Sequence, residues 1–342
     1  MADGITMLRV KSIIESDPAR RYVVVSAPGK RFGGDIKVTD LLYETYDNVV
    51  VSGETGAAFE KICERFRGIV SELKLDMDID AILAETGEAI VKEASPDFCA
   101  SRGEYLSGRV MAELLGIPFI DARDVVKFGP DGKLDNKRTY ALLAEALKGK
   151  KRALVTGFYG EDANGRVKTF SRGGSDISGA IVARAAGADL YENWTDVSGF
   201  LACDPRIVEN PVPIRSLSYK ELRELSYMGA NVLHSESIFP VREVDIPIRI
   251  KNTFRPEDEG TEILPTSRYT YSGRRVTGIA GKKNFTVIFL EKSLMNEEIG
   301  FTYRTLAVFM KHGISFEHIP TGIDTMSFVI DSAELKGGLL EE

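Results

Sequence analysis

Residues 169–190 read TFSRGGSDISGAIVARAAGADL, with an arginine, two glycines, a serine and an aspartate set directly before an apolar run of helical spacing. Successive backbone amides around Gly173 and Gly174, leading into a helix start, make an anion site, because unpaired amides and the helix dipole both favour negative charge. Glycine permits close backbone approach. Arg172 adds a planar fork suited to a carboxylate or a phosphate. Ser175 and Asp176 follow in the first turn, where Asp176 either caps the helix or takes part in chemistry. Other polar residues are expected at the same sheet edge: Ser26 after RYVVV, Arg102, Gly103 and Glu104 in CASRGEYLSG, and Thr195 and Asp196 in NWTDVSGF. His234, His312 and His318 are scattered, mostly in or near apolar contexts, and offer no triad. Arginine, carboxylates, hydroxyls and backbone amides suit phosphoryl transfer, in which the protein supplies positioning and charge neutralisation.

The elements that must hold these residues alternate along the chain. Residues 21–28, 151–158, 188–195 and 246–253 are short, apolar and β-branched or aromatic, and read as strands. Between them ETGAAFEKICERFRGIVSEL, RGEYLSGRVMAELLG, NKRTYALLAEALKG, DISGAIVARAAGA and SYKELRELSYMGA carry helical spacing. The pattern predicts a layered α/β domain around a largely parallel sheet, with ligands beyond the carboxyl ends of the strands. A proline- and charge-rich stretch at 254–273 reads as a linker. Beyond it the order is β-α-β-β.

With 342 residues and 43% hydrophobic content, the chain can bury more than one core. A net charge of -7 with interspersed signs argues against a nucleic-acid surface, which needs clustered Lys and Arg. No run is long and apolar enough for a membrane span and the N-terminus has no signal-peptide layout, so a cytoplasmic protein is expected. Cys63, Cys99 and Cys203 lie far apart, outside any metal-type spacing, and are expected to be reduced.

Several stretches together resemble the aspartate kinases of the amino-acid-kinase superfamily. They are VVVSAPGK with KVTDLL, SRGEYLSGRVMAELL, FSRGGSDISGAIVARAAGADLYENWTDVSGFLACDPRIV, and ELSYMGANVLHSESIFPVREVDIPIRIKNT, in that order. The resemblance implies an amino-acid kinase catalytic domain over 1–265 and an ACT-like regulatory domain over 274–342. It implies ATP-dependent phosphorylation of the side-chain carboxylate of L-aspartate, at the head of lysine, threonine and methionine synthesis. Carried across residue by residue, it makes Arg172 the clamp on a substrate carboxylate, Glu104 the receiver of the amino group, and Thr39 and Ser26 further substrate contacts. Ser175 and Asp176 would lie beside the transferred phosphate. Gly173, Gly174, Thr195, Asp196, Asp204, Arg206 and Asn231 would line the nucleotide, with Mg2+ bridging its phosphates. Leu201 stands where relatives can have a tyrosine near the adenine. Met295, Phe301 and Glu317 fall where relatives contact a feedback amino acid, and a homodimer or higher homo-oligomer through ACT units is expected.

Two departures accompany the resemblance. Relatives begin with a strand and a Lys-Phe-Gly-Gly segment, whereas MADGITMLRVKSII is similar to the helix after it, and a single βαββ unit stands where ACT units act in pairs. The chain is therefore expected to be incomplete at both ends. Asn231 stands where many relatives carry a lysine. Two other readings are a sister kinase for glutamate, acetylglutamate or a nucleotide, and a non-catalytic amino-acid-binding regulatory subunit. Glu104 in SRGE and Arg172 in FSRGGSD favour aspartate over the first, and the Arg172, Asp176 and Asp196 set argues against the second. A dinucleotide-binding domain is excluded by the want of G-x-G-x-x-G after the first strand.

Overall fold

A computed structural model describes the chain apart from residues 172, 231, 234–236, 271–272, 274–275, 336–338 and 340–342. It divides into two compact units, Met1–Ile279 and Ala280–Glu342.

The first unit opens with α1 (Gly4–Glu15), β1 (Tyr22–Val25), α2 (Val38–Ser52), α3 (Gly56–Leu73), α4 (Ile79–Glu93), α5 (Pro96–Leu115) and β2 (Phe119–Ile120). It continues through α6 (Ala122–Val125), α7 (Asn136–Leu147), β3 (Ala153–Thr156), β4 (Tyr159–Glu161), β5 (Val167–Thr169), α8 (Gly174–Ala185) and β6 (Tyr191–Thr195). It closes with β7 (Ser216–Ser218), α9 (Tyr219–Tyr227), α10 (Phe239–Arg242), β8 (Ile248–Asn252) and β9 (Thr261–Leu264). Local chemistry fixes several of these boundaries. Ser95 caps α5 by accepting from the Phe98 amide, Pro96 occupies the first helical position, and Gly116 leaves the helix in the left-handed region at φ 61°. Ser218 and Glu221 form a capping box at α9.

The expected largely parallel sheet is present in two parts. One is three-stranded and parallel, ordered β1-β3-β2. The other is ordered β6-β8-β9-β7, parallel between β6 and β8 and between β7 and β9, and antiparallel between β8 and β9. β4 and β5 form a separate antiparallel hairpin. Among the described residues β1 pairs with β3 alone and β6 with β8 alone. α8 packs against both of these edge strands. From just before β1, Arg20 donates to Glu192 of β6 at 2.6 Å and lies over the Trp194 ring at 5.1 Å.

β1 and β3 are buried between two groups of helices, as a parallel sheet requires. Met7, Leu42, Ile62, Phe66, Leu106, Met111, Leu143 and Leu154 fill this core with side chains less than 2% exposed. A second cluster, including Phe200, Leu217, Leu222, Ile248, Ile250 and Ile263, covers the four-stranded sheet. Cys63 and Cys99 are buried thiols and Cys203 is half-buried.

In the second unit β10 (Phe285–Glu291) pairs antiparallel with β11 (Thr325–Asp331), and α11 (Phe301–Lys311) lies between them in sequence. The strand expected next after the helix in the β-α-β-β order is reduced to isolated bridges, His318 with Val329 and Thr321 with Met326. Pro320 accounts for the brevity, since it has no amide to continue a ladder. Phe309 stacks on Phe328 with ring centroids 4.5 Å apart at the centre of this unit's core.

Candidate active site

The site is assembled where β1 and β3 end and α8 begins. β1 and β3 are in register from Tyr22 with Ala153 to Val25 with Thr156, so their outgoing loops leave side by side. The Gly157 amide donates to the Val25 carbonyl at 3.2 Å. A Cβ at Gly157 would lie 2.9 Å from that carbonyl oxygen and 3.2 Å from Cα of Ser175. The start of α8 is therefore pressed into the notch between the two loops.

Phe158 completes the contact, although its role has no signal in the sequence beyond its place in TGFYG. It is held in the left-handed region at φ 77°, which a bulky side chain adopts only when its surroundings impose it. Its amide donates to Ser178 Oγ at 2.9 Å, its carbonyl accepts from the Phe170 amide at 2.9 Å, and Ser178 Oγ donates to the Gly174 carbonyl at 2.8 Å. A Cβ at Gly174 would stand 2.5 Å from the Phe158 ring. Gly173 precedes α8 at φ 57°. The second glycine is thus required by close approach and the first by backbone conformation.

Asp176, in the first turn of α8, has its carboxylate held from the neighbouring sheet. Asn193 of β6 donates from Nδ2 to Asp176 Oδ1 at 2.8 Å and to the Tyr191 hydroxyl at 3.0 Å, and that hydroxyl donates to the Asp176 carbonyl at 3.1 Å. Gly173, at the N-cap of α8, has no side chain to cap the helix, and the Asp176 carboxylate is bonded to Asn193 of β6. Asn193 is a site residue that sequence reasoning missed; its inward place in the YENWT alternation was the available signal.

Glu104 lies on α5, which packs against β1 and β3. A Cβ on its neighbour Gly103 would come 2.7 Å from the Ala27 side chain and 3.5 Å from Val38, so α5 is packed closely against the end of β1 and the start of α2. Glu104 is 5% exposed and its Oε2 has no hydrogen-bond partner. Burial pushes its carboxyl up to about 8, partly offset by the Ala27 amide and the Arg102 charge. A buried, unpartnered carboxyl oxygen costs free energy that a bound cation would return. Ser26 is exposed immediately after β1, and Thr39 is half-buried in the first turn of α2.

The structure thus gathers Ser26, Glu104, Gly173, Gly174, Ser175 and Asp176 around the ends of β1 and β3, with Thr39 in the first turn of α2, next to Val38, which faces Gly103. Arg172 and Asn231 lie outside the described residues. Thr195 and Asp196 end β6, where Thr195 Oγ1 donates to Asp196 Oδ1 at 3.1 Å. Asp204 and Arg206 sit in the following loop and bind each other, Nη2 to Oδ2 at 2.7 Å. In the second unit Met295 is buried in the core, Phe301 packs against that core, and Glu317 pairs with Lys282 at 3.6 Å. A cleft of about 700 Å3 opens beside Ser171, lined among others by Lys133, Tyr140, Lys168 and Phe239; among the described residues, none of those expected at the site lines it.

Residues 21–252 match the family model described as the amino acid kinase family. The chain is 36% identical over 349 residues to aspartokinase 3 of Bacillus subtilis, covering 98% of this chain and 76% of that protein. The chain belongs to the aspartokinase family. Its fold superposes on a crystal structure of Clostridium acetobutylicum aspartate kinase with a TM-score of 0.95 at 50% identity, over 99% of this chain and 79% of that one. Escherichia coli aspartokinase III, solved in complex with aspartate and ADP, matches with a TM-score of 0.79 at 25% identity, over 99% and 80% of the two chains. The layered amino-acid-kinase fold followed by an ACT-type unit, read from the sequence, is the fold of these aspartokinases. Among the described residues no helix is long and apolar enough to cross a membrane, and no group of three acidic, His or Cys side chains converges on a metal position.

Two outcomes follow for the unliganded protein. Gly174→Ala is expected to destabilise it by about 1–3 kcal/mol through overpacking against Phe158, measured by denaturant unfolding; a variant as stable as the parent contradicts the close-packed notch. Glu104→Gln tests the buried carboxyl. Because the folded protein keeps a proton up to about 8 that the unfolded chain releases at ordinary carboxylate pH, stability falls as pH rises across that interval. The variant, which cannot ionise, is expected to melt a few degrees above the parent at pH 8 and to converge with it at pH 5; parallel curves across this range contradict the assignment.

Proposed function

We propose that the chain transfers the γ-phosphoryl group of ATP to the side-chain carboxylate of L-aspartate, forming 4-phospho-L-aspartate. The observation that carries the reading is the pairing of a buried carboxyl with an unbonded oxygen, Glu104, and a glycine-started helix, α8, both packed at the ends of β1 and β3. The first suits an ammonium, and the second suits an anion.

Arg172 clamps the α-carboxylate, Glu104 takes the amino group, and Thr39 and Ser26 border the substrate. The reacting side-chain carboxylate ordinarily titrates at about 3.9, so it is already ionised at neutral pH and needs no general base. The barrier lies in bringing an anion to a polyanion. Amides at the start of α8, with Ser175 alongside, face the charge that spreads over the transferred group, and a preorganised donor of this kind is worth several kcal/mol in the transition state. Asn193 keeps the Asp176 carboxylate turned toward β6, which limits repulsion with the phosphates. Gly173, Gly174, Thr195, Asp196, Asp204, Arg206 and Asn231 border the nucleotide. Mg2+ bound with the nucleotide would neutralise charge on its phosphates, beside Thr195, Asp196 and Asp204. Met295, Phe301 and Glu317 are assigned to a feedback amino acid such as lysine or threonine, on an ACT-like unit through which two copies associate in the cytoplasm.

Acyl phosphate trapped by hydroxylamine reads this chemistry directly. The expected result is hydroxamate formation that depends on both ATP and L-aspartate, and is at least ~10-fold weaker with L-glutamate or N-acetylglutamate, as a site built around fixed polar partners predicts. Equal product with glutamate, or product from neither acid, contradicts the assignment.

A further inference from the structure

The loop between β1 and α2, residues 26–37, carries Ser26 at one end and leads into Thr39 at the other, yet it has little packing of its own. Lys30, Arg31, Phe32, Gly33 and Gly34 are exposed, Phe32 at 63%, and a Cβ at Gly29 or Gly33 would meet nothing within 4 Å. A loop so exposed is ordered only if something else fixes it.

Arg65 provides the fixture. It lies on the inward face of α3 among Phe59, Ile62, Phe66 and Ile69, and its side chain is 3% exposed. Its Nη1 donates to the Gly29 carbonyl at 3.1 Å, and its Nη2 donates to the Ile36 carbonyl at 3.3 Å and to Asp35 Oδ2. Asp35 in turn gathers the rest of the loop: its carboxylate accepts from the Arg31 amide, Nε and Nη2, each at 2.9 Å, while its own amide donates to the Phe32 carbonyl at 3.1 Å. Guanidinium, with donors in a fixed fork, can serve two carbonyls and a carboxylate at once, which a lysine ammonium cannot do with the same geometry. Stability alone gives poor reason to bury such a pair, because an apolar pair of similar volume is commonly as stable.

We propose that Arg65, through Asp35 and the Gly29 and Ile36 carbonyls, is a positioning residue for substrate binding, holding the β1–α2 loop so that Ser26 and Thr39 face the aspartate subsite opposite Glu104. The proposal rests on the aspartate-kinase reading above. Arg65 touches neither substrate; it acts from beneath the loop, and the nucleotide side around β6 does not depend on it.

The test compares Arg65→Lys, Arg65→Met and the double variant Arg65→Met/Asp35→Leu with the parent, by steady-state kinetics, melting temperature and trypsin cleavage at Lys30, Arg31 and Lys37. A displaced contact of this kind predicts KM for aspartate at least ~10-fold higher in both Met variants, with KM for ATP within ~2-fold of the parent. Arg65→Lys should fall between them and the parent. The double variant, which leaves no charge buried without its partner, should recover much of the melting temperature lost in Arg65→Met but none of the aspartate KM, and trypsin should cut the loop faster in both. If the double variant regains aspartate KM together with stability, or if both substrates weaken equally, the role is structural and the proposal fails. Faster cleavage with unchanged aspartate KM shows a loop tied by Arg65 but irrelevant to substrate, which also refutes it. A parent chain that neither turns over nor binds aspartate, while trypsin still reports the tethered loop, overturns the kinase reading instead.

Discussion

The start of α8 can reach the β3–β4 turn only because residue 174 has no side chain, and the site is built on that contact. With a Cβ there, the helix would withdraw from the Phe158 ring, and Ser175 would leave its place against Gly157. The left-handed Phe158 backbone and the bonds through Ser178 show that the turn has been shaped to receive the helix. Close seating also fixes the helix start, while Asn193 of β6 holds the Asp176 carboxylate. Preorganisation of this sort is paid for during folding and is available at no further cost when charge develops.

A second constraint lies on α5. Glu104 is buried on α5 with one oxygen unbonded, an arrangement that costs stability in the unliganded protein. α5 meets the end of β1 closely through Gly103 and Ala27, as α8 meets β3 through Gly157. Two helices approach two adjacent strand ends by way of glycine, one bringing a buried carboxyl that can ionise against an ammonium and the other a helix start that suits an anion. An amino acid carries the complementary charges. Strain at Phe158 and desolvation at Glu104 are the kind of local cost that packed sheets on either side can sustain.

Much of this was legible in the sequence. TFSRGGSD declared the helix start and its glycines, SRGE singled out Glu104, and the four short apolar runs gave β1, β3, β6 and β8. Elements defined by tertiary pairing were not legible. β4, β5 and β7 are three residues each, too short for a periodic signal. The division of the sheet into two parts depends on which strand edges meet, and that is not a local property. Arg65 and Asp35 lie 30 residues apart, on a helix that reads as ordinary and in a loop that reads as charged and solvated. That Asn193 holds Asp176 likewise depends on a pairing across two elements. In the second unit the strand after the helix was expected from the β-α-β-β order, and Pro320 reduced it to bridges.

The account turns on Glu104 receiving a substrate ammonium, and proton release on binding tests this most directly. Calorimetric titration of the chain with L-aspartate at pH 7, in two buffers of different ionisation enthalpy, should show release of a substantial fraction of a proton, as the carboxyl pushed up to about 8 ionises against the ammonium. Succinate, which lacks the amino group, should bind far more weakly and release none. Aspartate binding without proton exchange, or succinate binding as tightly as aspartate, would contradict the account.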